Sequence, residues 1–329
     1  MNPEIEAIQK RITETSGFVE PFFERAGTVV IGQKNLLRSI LMTILARGHI
    51  LIEGLPGLAK TLAARTTAAL IEGTYSRIQF TPDLLPSDIT GTTIYNQNTG
   101  KFESRKGPIF ANIVLADEIN RAPAKVQSAL LEAMQERQVT IGETSYPLPD
   151  PFLVLATENP IEQEGTYPLP EAQIDRFLFK IDVTYPSREE EEEILKRMSA
   201  AAPALPEPVI TQEGLARAVE AYEGIYVDEK LYGYVARLLE ATRTPGKAGL
   251  SDLEAMIQYG ASPRSGIFLV RAAKANAFLN HRGYTTPEDV REVARTVLSH
   301  RIIPTYEAEA ENISREEIIL KILDTVEAP

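Results

Sequence analysis

The stretch that most constrains the fold is GLPGLAKT, residues 54–61, which follows the apolar run HILIE and precedes the helical pattern KTLAARTTAAL. A strand, a glycine-rich turn and a helix in that order place backbone N–H groups at a helix N-terminus, where they can bind phosphate. The sequence therefore predicts an α/β fold with a phosphate-binding loop at these residues.

This loop departs at one position from the pattern GxxxxGK followed by Ser or Thr, because Ala59 stands where the pattern has glycine. Alanine is a strong helix former, so Ala59 is acceptable if residue 59 already lies in the first helical turn. Gly54 and Gly57 keep the turn permissive. In such a loop a lysine reaches the terminal phosphates and a hydroxyl binds Mg²⁺, which are the roles expected of Lys60 and Thr61.

Further apolar runs alternate with helical patterns through the first half of the chain, which predicts a parallel sheet covered by helices on both faces. Two segments, 91–106 and 138–149, interrupt the alternation and are predicted to be hairpins, the second turning around Gly142. The predicted strands, in addition to HILIE, are RIQF at 77–80, NIVLAD at 112–117, FLVLAT at 152–157 and FLFKIDV at 177–183, with a helix at 124–137.

The sequence changes in character after Tyr185. Ser187 and Glu190 form a predicted capping box at the start of a helix, and the proline-rich segment 202–210 is predicted to be a linker or an extended crossing. Beyond it the apolar residues recur with the period of helices. We therefore expect an α/β domain over residues 1–185 and a smaller, all-helical domain over residues 186–329.

Polar residues are expected at the carboxyl edge of the predicted sheet, where open α/β sheets bind ligands. The strand in IVLADEIN ends in Asp117 and Glu118. Asp117 would hold Mg²⁺, and Glu118 would polarise an attacking water. Another predicted strand leads to Asn159, whose amide could hydrogen-bond both that water and a terminal phosphate, although Asn-Pro is also a common turn.

Three arginines, Arg121, Arg176 and Arg264, are candidates for neutralising charge at a terminal phosphate. An arginine in that position accelerates phosphoryl transfer by ~10³ to 10⁵. Any one of them considered alone is more often part of a surface ion pair.

Composition excludes several other classes of function. The formal net charge of −12 argues against a general affinity for nucleic acid. Cysteine is absent and the three histidines lie far apart in sequence, so neither a thiolate nor a histidine metal cluster is expected.

The N-terminal residues do not resemble a signal peptide, and the apolar runs are far shorter than the ~20 residues of a membrane helix. We therefore expect a cytoplasmic protein without a membrane span.

Taken together, VVIGQ at 29–33, GLPGLAKT, LADEIN, LATENP, LPEAQIDRF and GASPRSG resemble the motifs of AAA+ ATPases, and among these the MoxR family. The resemblance runs over most of the chain and implies a P-loop NTPase core with a C-terminal helical lid. It implies that Glu118, Asn159, Arg176, Arg264 and Lys60 are catalytic, with Asn159 and Arg264 as sensors and Arg176 as the arginine finger. Arg121 is a less certain contributor to a neighbouring site. The nucleotide-binding residues that it implies are Ile31, Gly32, Gln33, Gly54, Leu55, Pro56, Gly57, Leu58, Ala59, Lys60, Thr61, Leu62 and Asp117, with Thr61 and Asp117 as the metal ligands.

The resemblance also implies an activity and partners. MoxR-like proteins hydrolyse ATP with Mg²⁺, and the implied assembly is a hexameric ring in which both predicted hairpins face the central pore. The implied substrate is a partner protein that is remodelled or matured, often one with a von Willebrand factor A domain. Glu158 departs from the family, which more often has glutamine there. Two alternatives stay open: a motor or loader that acts on nucleic acid, and a scaffold that binds ATP without useful hydrolysis.

Overall fold

The computed structural model describes residues 3–160, 165–199 and 204–329. Its helices are α1 (Pro3–Thr15), α2 (Val19–Val29), α3 (Lys34–Leu45), α4 (Lys60–Leu70), α5 (Pro86–Thr90), α6 (Ala124–Glu136), α7 (Glu171–Ile174), α8 (Arg188–Met198), α9 (Gln212–Glu223), α10 (Glu229–Arg243), α11 (Pro263–Leu279), α12 (Pro287–Leu298), α13 (Tyr306–Ala310) and α14 (Arg315–Thr325). Its strands are β1 (Ile50–Gly54), β2 (Tyr75–Gln79), β3 (Gly91–Asn96), β4 (Lys101–Lys106), β5 (Ile113–Asp117), β6 (Gln138–Ile141), β7 (Thr144–Pro147), β8 (Leu153–Glu158), β9 (Phe179–Val183), β10 (Ile257–Tyr259) and β11 (Ile303–Pro304).

The central sheet has five strands in the order β2-β5-β8-β1-β9. The pairs β2–β5, β5–β8 and β8–β1 are parallel. Parallel neighbours need crossover connections, and α4 and α6 lie in the connections that follow β1 and β5. The predicted α/β class is therefore confirmed. Because β8 lies between β5 and β1, the residues that follow these three strands meet at one edge of the sheet.

The inner strands form the core because their sequences are apolar on both faces. Ile50, Leu51 and Ile52 of β1 are fully buried, as is every residue of β5 from Ile113 to Ala116. Continuous apolar runs are typical of strands that helices cover on both sides. These strands supply the rigid base on which the polar residues of the sheet edge are held.

Two of the three histidines are core residues. Nδ1 of His49 accepts a hydrogen bond from Val154 N–H at 3.1 Å, and its Nε2 lies 3.1 Å from the Met134 carbonyl oxygen. Burial lowers the pKa of His49 to about 3, so this imidazole is neutral at physiological pH. His300 is also buried.

Both interruptions of the βα alternation are antiparallel hairpins, as predicted. In the first, β3 pairs with β4 from Gly91 opposite Lys106 to Asn96 opposite Lys101. In the second, β6 pairs with β7, and Gly142 in its turn has a φ of +64°, a left-handed conformation that favours glycine.

The contacts divide the chain into two compact units. The sheet unit consists of Phe18–Arg176 and Ile181–Ala216. The helical unit consists of Met1–Gly17, Phe177–Lys180 and Arg217–Pro329. The predicted domain boundary at residue 185 stays a prediction.

The sheet unit includes part of the chain beyond the predicted boundary. The Ser187 side chain caps α8 as predicted, and Arg197 of this helix donates a hydrogen bond to the Thr28 carbonyl at 3.0 Å. Of the segment predicted as a linker, residues 202 and 203 lie outside the described residues. Farther along it, the Val209 N–H donates to the Leu70 carbonyl at 2.8 Å, so this part lies against the end of α4.

The helical unit begins with α1, whose Gln9 side chain donates a hydrogen bond to the His281 carbonyl at 2.7 Å. Its core includes buried apolar residues of α10, α11 and α12, but Ile267, which belongs to the apolar pattern of α11 in the sequence, is largely exposed. One difference is a two-stranded antiparallel ribbon of β10 and β11. Strands of three and two residues are too short to produce an alternating pattern, so periodicity could not detect them. Among the helices of the described residues, none has the length and apolar character to span a membrane.

Candidate active site

The predicted phosphate loop lies between the end of β1 and the start of α4. Gly54 packs closely on β9, because a Cβ at this position would lie 2.8 Å from the Val183 carbonyl oxygen. Gly57 has a φ of +85°, which glycine adopts without strain. These two glycines let the backbone turn sharply from the strand into the N-terminus of α4, where unbonded N–H groups can face an anion.

Ala59 corrects one part of the sequence argument. It does not lie in the first helical turn but precedes α4, with φ of +58° and ψ of +14°, in the left-handed region. This conformation costs an alanine roughly 1–2 kcal/mol, because its Cβ approaches the carbonyl oxygen. Helix propensity therefore does not explain how alanine replaces glycine here. The loop adopts the backbone conformation that glycine would favour, and alanine occupies it under strain.

Lys60, the first residue of α4, points back across the loop. Its Nζ donates a hydrogen bond to the Gly54 carbonyl at 2.5 Å. Burial lowers the pKa of Lys60, and the negative charges of Asp117 and Glu118 oppose part of that shift. The ammonium group is thus held inside the loop and close to both acids.

Asp117 ends β5 and is bound by side chains of both neighbouring strands. Arg77 of β2 donates to its Oδ2 from Nη2 at 2.5 Å and from Nε at 3.0 Å. Thr157 of β8 donates to its Oδ1 at 2.7 Å. Both carboxylate oxygens therefore have donors, and the negative charge is neutralised by a guanidinium of the same chain.

Glu118 is held in a similar way. Its Oε2 accepts a hydrogen bond from the Gln79 amide at 2.8 Å and lies 3.2 Å from Nε of Arg121. Its backbone N–H donates to Thr157 Oγ1 at 2.9 Å. The residue itself is left-handed, with φ of +57°, an uncommon conformation for glutamate that is typical of functional sites. Arg121 is therefore an ion-pair partner of Glu118 within its own chain.

The loop and the acids face one cavity of about 350 Å³. It brings together most of the predicted loop with both predicted acids and Asn159. Sequence reasoning assigned no site role to Arg77 and Gln79, which bind the acids, although polar residues alternating with Ile78 on a strand could have indicated a polar face. The lining residues are Pro56, Gly57, Leu58, Ala59, Lys60, Thr61, Leu62, Arg77, Asp117, Glu118, Thr157 and Asn159.

Other predicted site residues lie elsewhere. Gly32 packs against the Glu190 carboxylate, and Gln33 lies beside the end of β9, where its amide is 3.5 Å from the Thr184 carbonyl.

Two predicted arginines also lie outside the cavity lining. Arg176 follows α7, and Nη1 donates to the Leu131 carbonyl at 3.5 Å. Arg264 lies in the first turn of α11, in the helical unit. The predicted roles of these residues, and of Ile31 and Leu55, stay predictions.

The residues of the cavity fit a magnesium-bound triphosphate. A helix N-terminus and Lys60 suit the phosphates, while the Thr61 hydroxyl and the Asp117 carboxylate are the oxygen ligands that Mg²⁺ prefers. In the part of the chain that the structure describes, no three His, Cys, Asp or Glu side chains form a metal cage.

Comparison with known proteins gives consistent results. Residues 49–179 match the ATPase family associated with various cellular activities (AAA), and residues 251–322 match the AAA lid domain. The chain is 51% identical over 301 residues to chaperone MoxR1 of Mycobacterium tuberculosis, covering 92% of this chain and 80% of the relative. It is 33% identical to protein MoxR of Methylorubrum extorquens, covering 93% and 94%. A crystal structure of a putative ATPase from Cytophaga hutchinsonii superposes with a TM-score of 0.92 at 49% identity, covering 99% of both chains.

Proposed function

Because the chain belongs to the MoxR family of AAA ATPases, we propose that it hydrolyses ATP with Mg²⁺ at the cavity behind residues 54–61. We propose further that hydrolysis drives the remodelling or maturation of a partner protein. The observation that carries the proposal is the position of Lys60, Asp117 and Glu118 around one cavity at the N-terminus of α4. Around this cavity, one chain would supply the phosphate-binding loop, a metal ligand (Asp117) and a general base (Glu118).

The loop residues bind and orient the substrate in this proposal. The backbone N–H groups of residues 57–61 and the Lys60 ammonium hold the phosphates, and Thr61 and Asp117 hold the metal. Bound Mg²⁺ supplies positive charge that neutralises the oxygens of the terminal phosphate. For Asp117 to ligate through Oδ2, the two Arg77 N–H groups that now donate to this oxygen must leave it.

Glu118 is the proposed general base. It would orient an attacking water and accept its proton, with the Asn159 amide as a second anchor for that water. In the structure, Oε2 of Glu118 is occupied by the Gln79 amide and Arg121. Oε2 must therefore be released before this oxygen can accept a proton, unless the other carboxylate oxygen, Oε1, orients the water.

Arg176 is the proposed arginine finger, acting on the site of a neighbouring subunit. Among the residues that the structure describes, no acceptor lies within hydrogen-bond distance of its buried Nε. The buried Nε cannot itself reach another chain, but Nη1 makes only a 3.5 Å hydrogen bond to the Leu131 carbonyl, so the guanidinium is weakly held by its own chain and could turn toward a neighbouring subunit. We propose a hexameric ring on this basis and on the family resemblance, with Arg264 sensing nucleotide from the helical unit.

The hairpin of β3 and β4 is the proposed contact for a protein substrate. Tyr95 and Phe102 lie opposite each other, with ring centroids 5.3 Å apart, and both side chains are largely exposed. Exposed aromatic pairs are common at protein-binding surfaces. A von Willebrand factor A domain protein is the proposed partner class, from family resemblance. Tyr95→Ser with Phe102→Ser should reduce the stimulation of ATP turnover by such a partner.

Phosphate release from ATP by the purified chain tests the proposal. We expect release in Mg²⁺ that stops in EDTA and is unchanged by added DNA or RNA. A protein partner should be retained by the Glu118→Gln chain in the presence of Mg²⁺ and ATP. The absence of release under any Mg²⁺ concentration would contradict the proposal, and stimulation by nucleic acid would favour a motor or loader instead. A cytoplasmic location stays a prediction.

A further inference from the structure

Two consecutive side chains after α12 bind a backbone carbonyl more than 120 residues earlier in the chain. His300 and Arg301 are almost fully buried, with 2% and 6% of their surfaces exposed. Nε2 of His300 donates to the Phe177 carbonyl at 3.2 Å, and Nη2 of Arg301 donates to the same oxygen at 2.5 Å. Nη1 of Arg301 reaches the Leu178 carbonyl at 3.4 Å. All of these residues belong to the helical unit.

The Arg301 guanidinium is itself fixed by the helices around it. Nη1 also donates to the Val297 carbonyl at the end of α12. Its Cζ lies 4.8 Å from the ring centroid of Phe268 in α11, so the planar group stacks on an aromatic face. Phe268 is one helical turn after Arg264, the predicted sensor. The hydrogen bonds and the stacking together leave the guanidinium one orientation, which lysine could not reproduce because it lacks the planar fork.

The bound carbonyls lie directly beside Arg176. Phe177 is the next residue in the chain, so the Cα atoms of Arg176 and Phe177 are about 3.8 Å apart. The hydrogen bond that the structure gives the Arg176 side chain is the long one to Leu131. The position of this guanidinium therefore depends on the backbone that carries it more than on its own contacts.

We propose that Arg301 is a positioning residue for Arg176: by holding the carbonyls of Phe177 and Leu178, it fixes the backbone from which the arginine finger extends. This inference rests on the proposed role of Arg176 in a neighbouring site. Arg301 touches neither substrate nor metal in this proposal. It acts through the two residues that follow the finger.

The test combines single variants with mixed assemblies. Arg301→Gln should bind a fluorescent ATP analogue as tightly as the unmutated chain, with KM unchanged and kcat about 10²-fold lower, since an error of about 1 Å in positioning has an effect of that size. Arg301→Lys should fall between the two. Mixed with the Glu118→Gln chain, Arg301→Gln should show turnover well above the sum of the two chains alone. In such an assembly, Glu118 of an Arg301→Gln subunit would act together with the correctly placed Arg176 of a neighbouring Glu118→Gln subunit. Arg176→Ala mixed with Glu118→Gln is the reference for this rescue.

The outcomes separate the two claims. If Arg176→Ala is not rescued by Glu118→Gln, the proposed finger is wrong, and the inference about Arg301 fails with it. If that pair is rescued while Arg301→Gln keeps its kcat, loses nucleotide binding or is not rescued, Arg301 has a structural role alone and the inference is overturned. If Arg301→Gln fails to fold, Phe268→Leu, which removes the stacked ring and keeps an apolar side chain, undergoes the same measurements with the same criteria.

Discussion

The phosphate loop and the acid pair face the same cavity, but the protein holds them differently. In the loop of residues 54–61, the backbone supplies most of the binding groups and Lys60 is the one charged side chain. Across the cavity, Asp117 is hydrogen-bonded by Arg77 and Thr157, and Glu118 by Gln79 with Arg121 in ion-pair distance. The loop is arranged for a ligand, whereas the acids are occupied by their own chain.

From this difference we expect that nucleotide binding and hydrolysis depend on separate parts of the site. Two adjacent carboxylates repel each other, and the guanidinium groups of Arg77 and Arg121 offset that repulsion. The loop can bind phosphate with this arrangement intact. In the proposed mechanism, hydrolysis requires in addition that Asp117 exchange Arg77 for the metal and that a water reach Glu118.

The largest effect is expected from Glu118→Gln, which alters the acid pair and leaves the phosphate loop unchanged. The variant loses the proposed base but keeps its shape and the loop, so nucleotide affinity should stay within a few-fold while kcat falls by about 10² to 10⁴. Phosphate release and analogue binding measure the two quantities. Glu158→Gln, the same change at the end of β8, is the matched control with an expected effect below about tenfold in kcat. Equal turnover by Glu118→Gln and the unmutated chain would show that Glu118 is not the base, so that the acid pair would no longer differ from the loop in role.

Lys60→Ala alters the loop side. Removing a charged hydrogen-bond donor to phosphate corresponds to about 1.5–3 kcal/mol, so affinity for ATP should fall by about 10- to 100-fold. Titration with a fluorescent analogue measures the loss. Lys125→Ala, on α6 beyond the cavity, serves as the control for loss of a lysine. Unchanged affinity of Lys60→Ala would show that the loop is not the phosphate site.

Arg77→Met tests whether the acids are truly occupied before the metal arrives. Without the guanidinium, Oδ2 of Asp117 loses the donors that compete with Mg²⁺, so the Mg²⁺ concentration for half-maximal binding of the ATP analogue should fall by about fivefold, corresponding to about 1 kcal/mol for a partly exposed pair. Arg105→Met on the exposed β4 strand is the control. A rise in the required Mg²⁺ would mean that Arg77 assists metal binding instead of competing with it.

The smallest effect is expected from Ala59→Gly, which relieves strain in the loop. Glycine accepts the left-handed conformation of this residue, so the free energy of unfolding should rise by up to about 1 kcal/mol, partly offset by the greater freedom of glycine in the unfolded chain. Ala63→Gly within α4 should have the opposite sign, lowering stability by about 1 kcal/mol or more. Chemical denaturation of both variants measures the difference. A loss of stability in Ala59→Gly would contradict the strain.

The two sides of the site also differed in how far the sequence could predict them. The loop and the acids are each coded by a short local pattern, and the strand, turn and helix around GLPGLAKT followed from periodicity. The alternation around Ile78 could indicate a polar face of β2, but the partners of Arg77 and Gln79 could not be assigned because they depend on the register of β2 against β5, which places Gln79 opposite Asp117. The contact of Arg301 with Phe177 joins residues 124 positions apart. Neither arrangement leaves a signal within one window of sequence.

The sequence was also unable to predict the backbone conformation of single residues in the site. The sequence could accommodate alanine at position 59 only on the condition that this residue lay in the first helical turn, and the geometry of the loop does not meet that condition. Two non-glycine residues of the site, Ala59 and Glu118, both have left-handed backbone conformations. Such conformations are set by the surrounding tertiary structure, so local preference predicts the wrong outcome at these positions.

The most direct test of the account is a crystal structure of the Glu118→Gln chain with Mg²⁺ and ATP. The account predicts phosphates within hydrogen-bond distance of the backbone N–H groups of residues 57–61, Mg²⁺ bound by Thr61 and Asp117, and Arg77 moved off Oδ2 of Asp117. Nucleotide bound elsewhere, or a metal-loaded site in which Arg77 still donates to Oδ2, would contradict it.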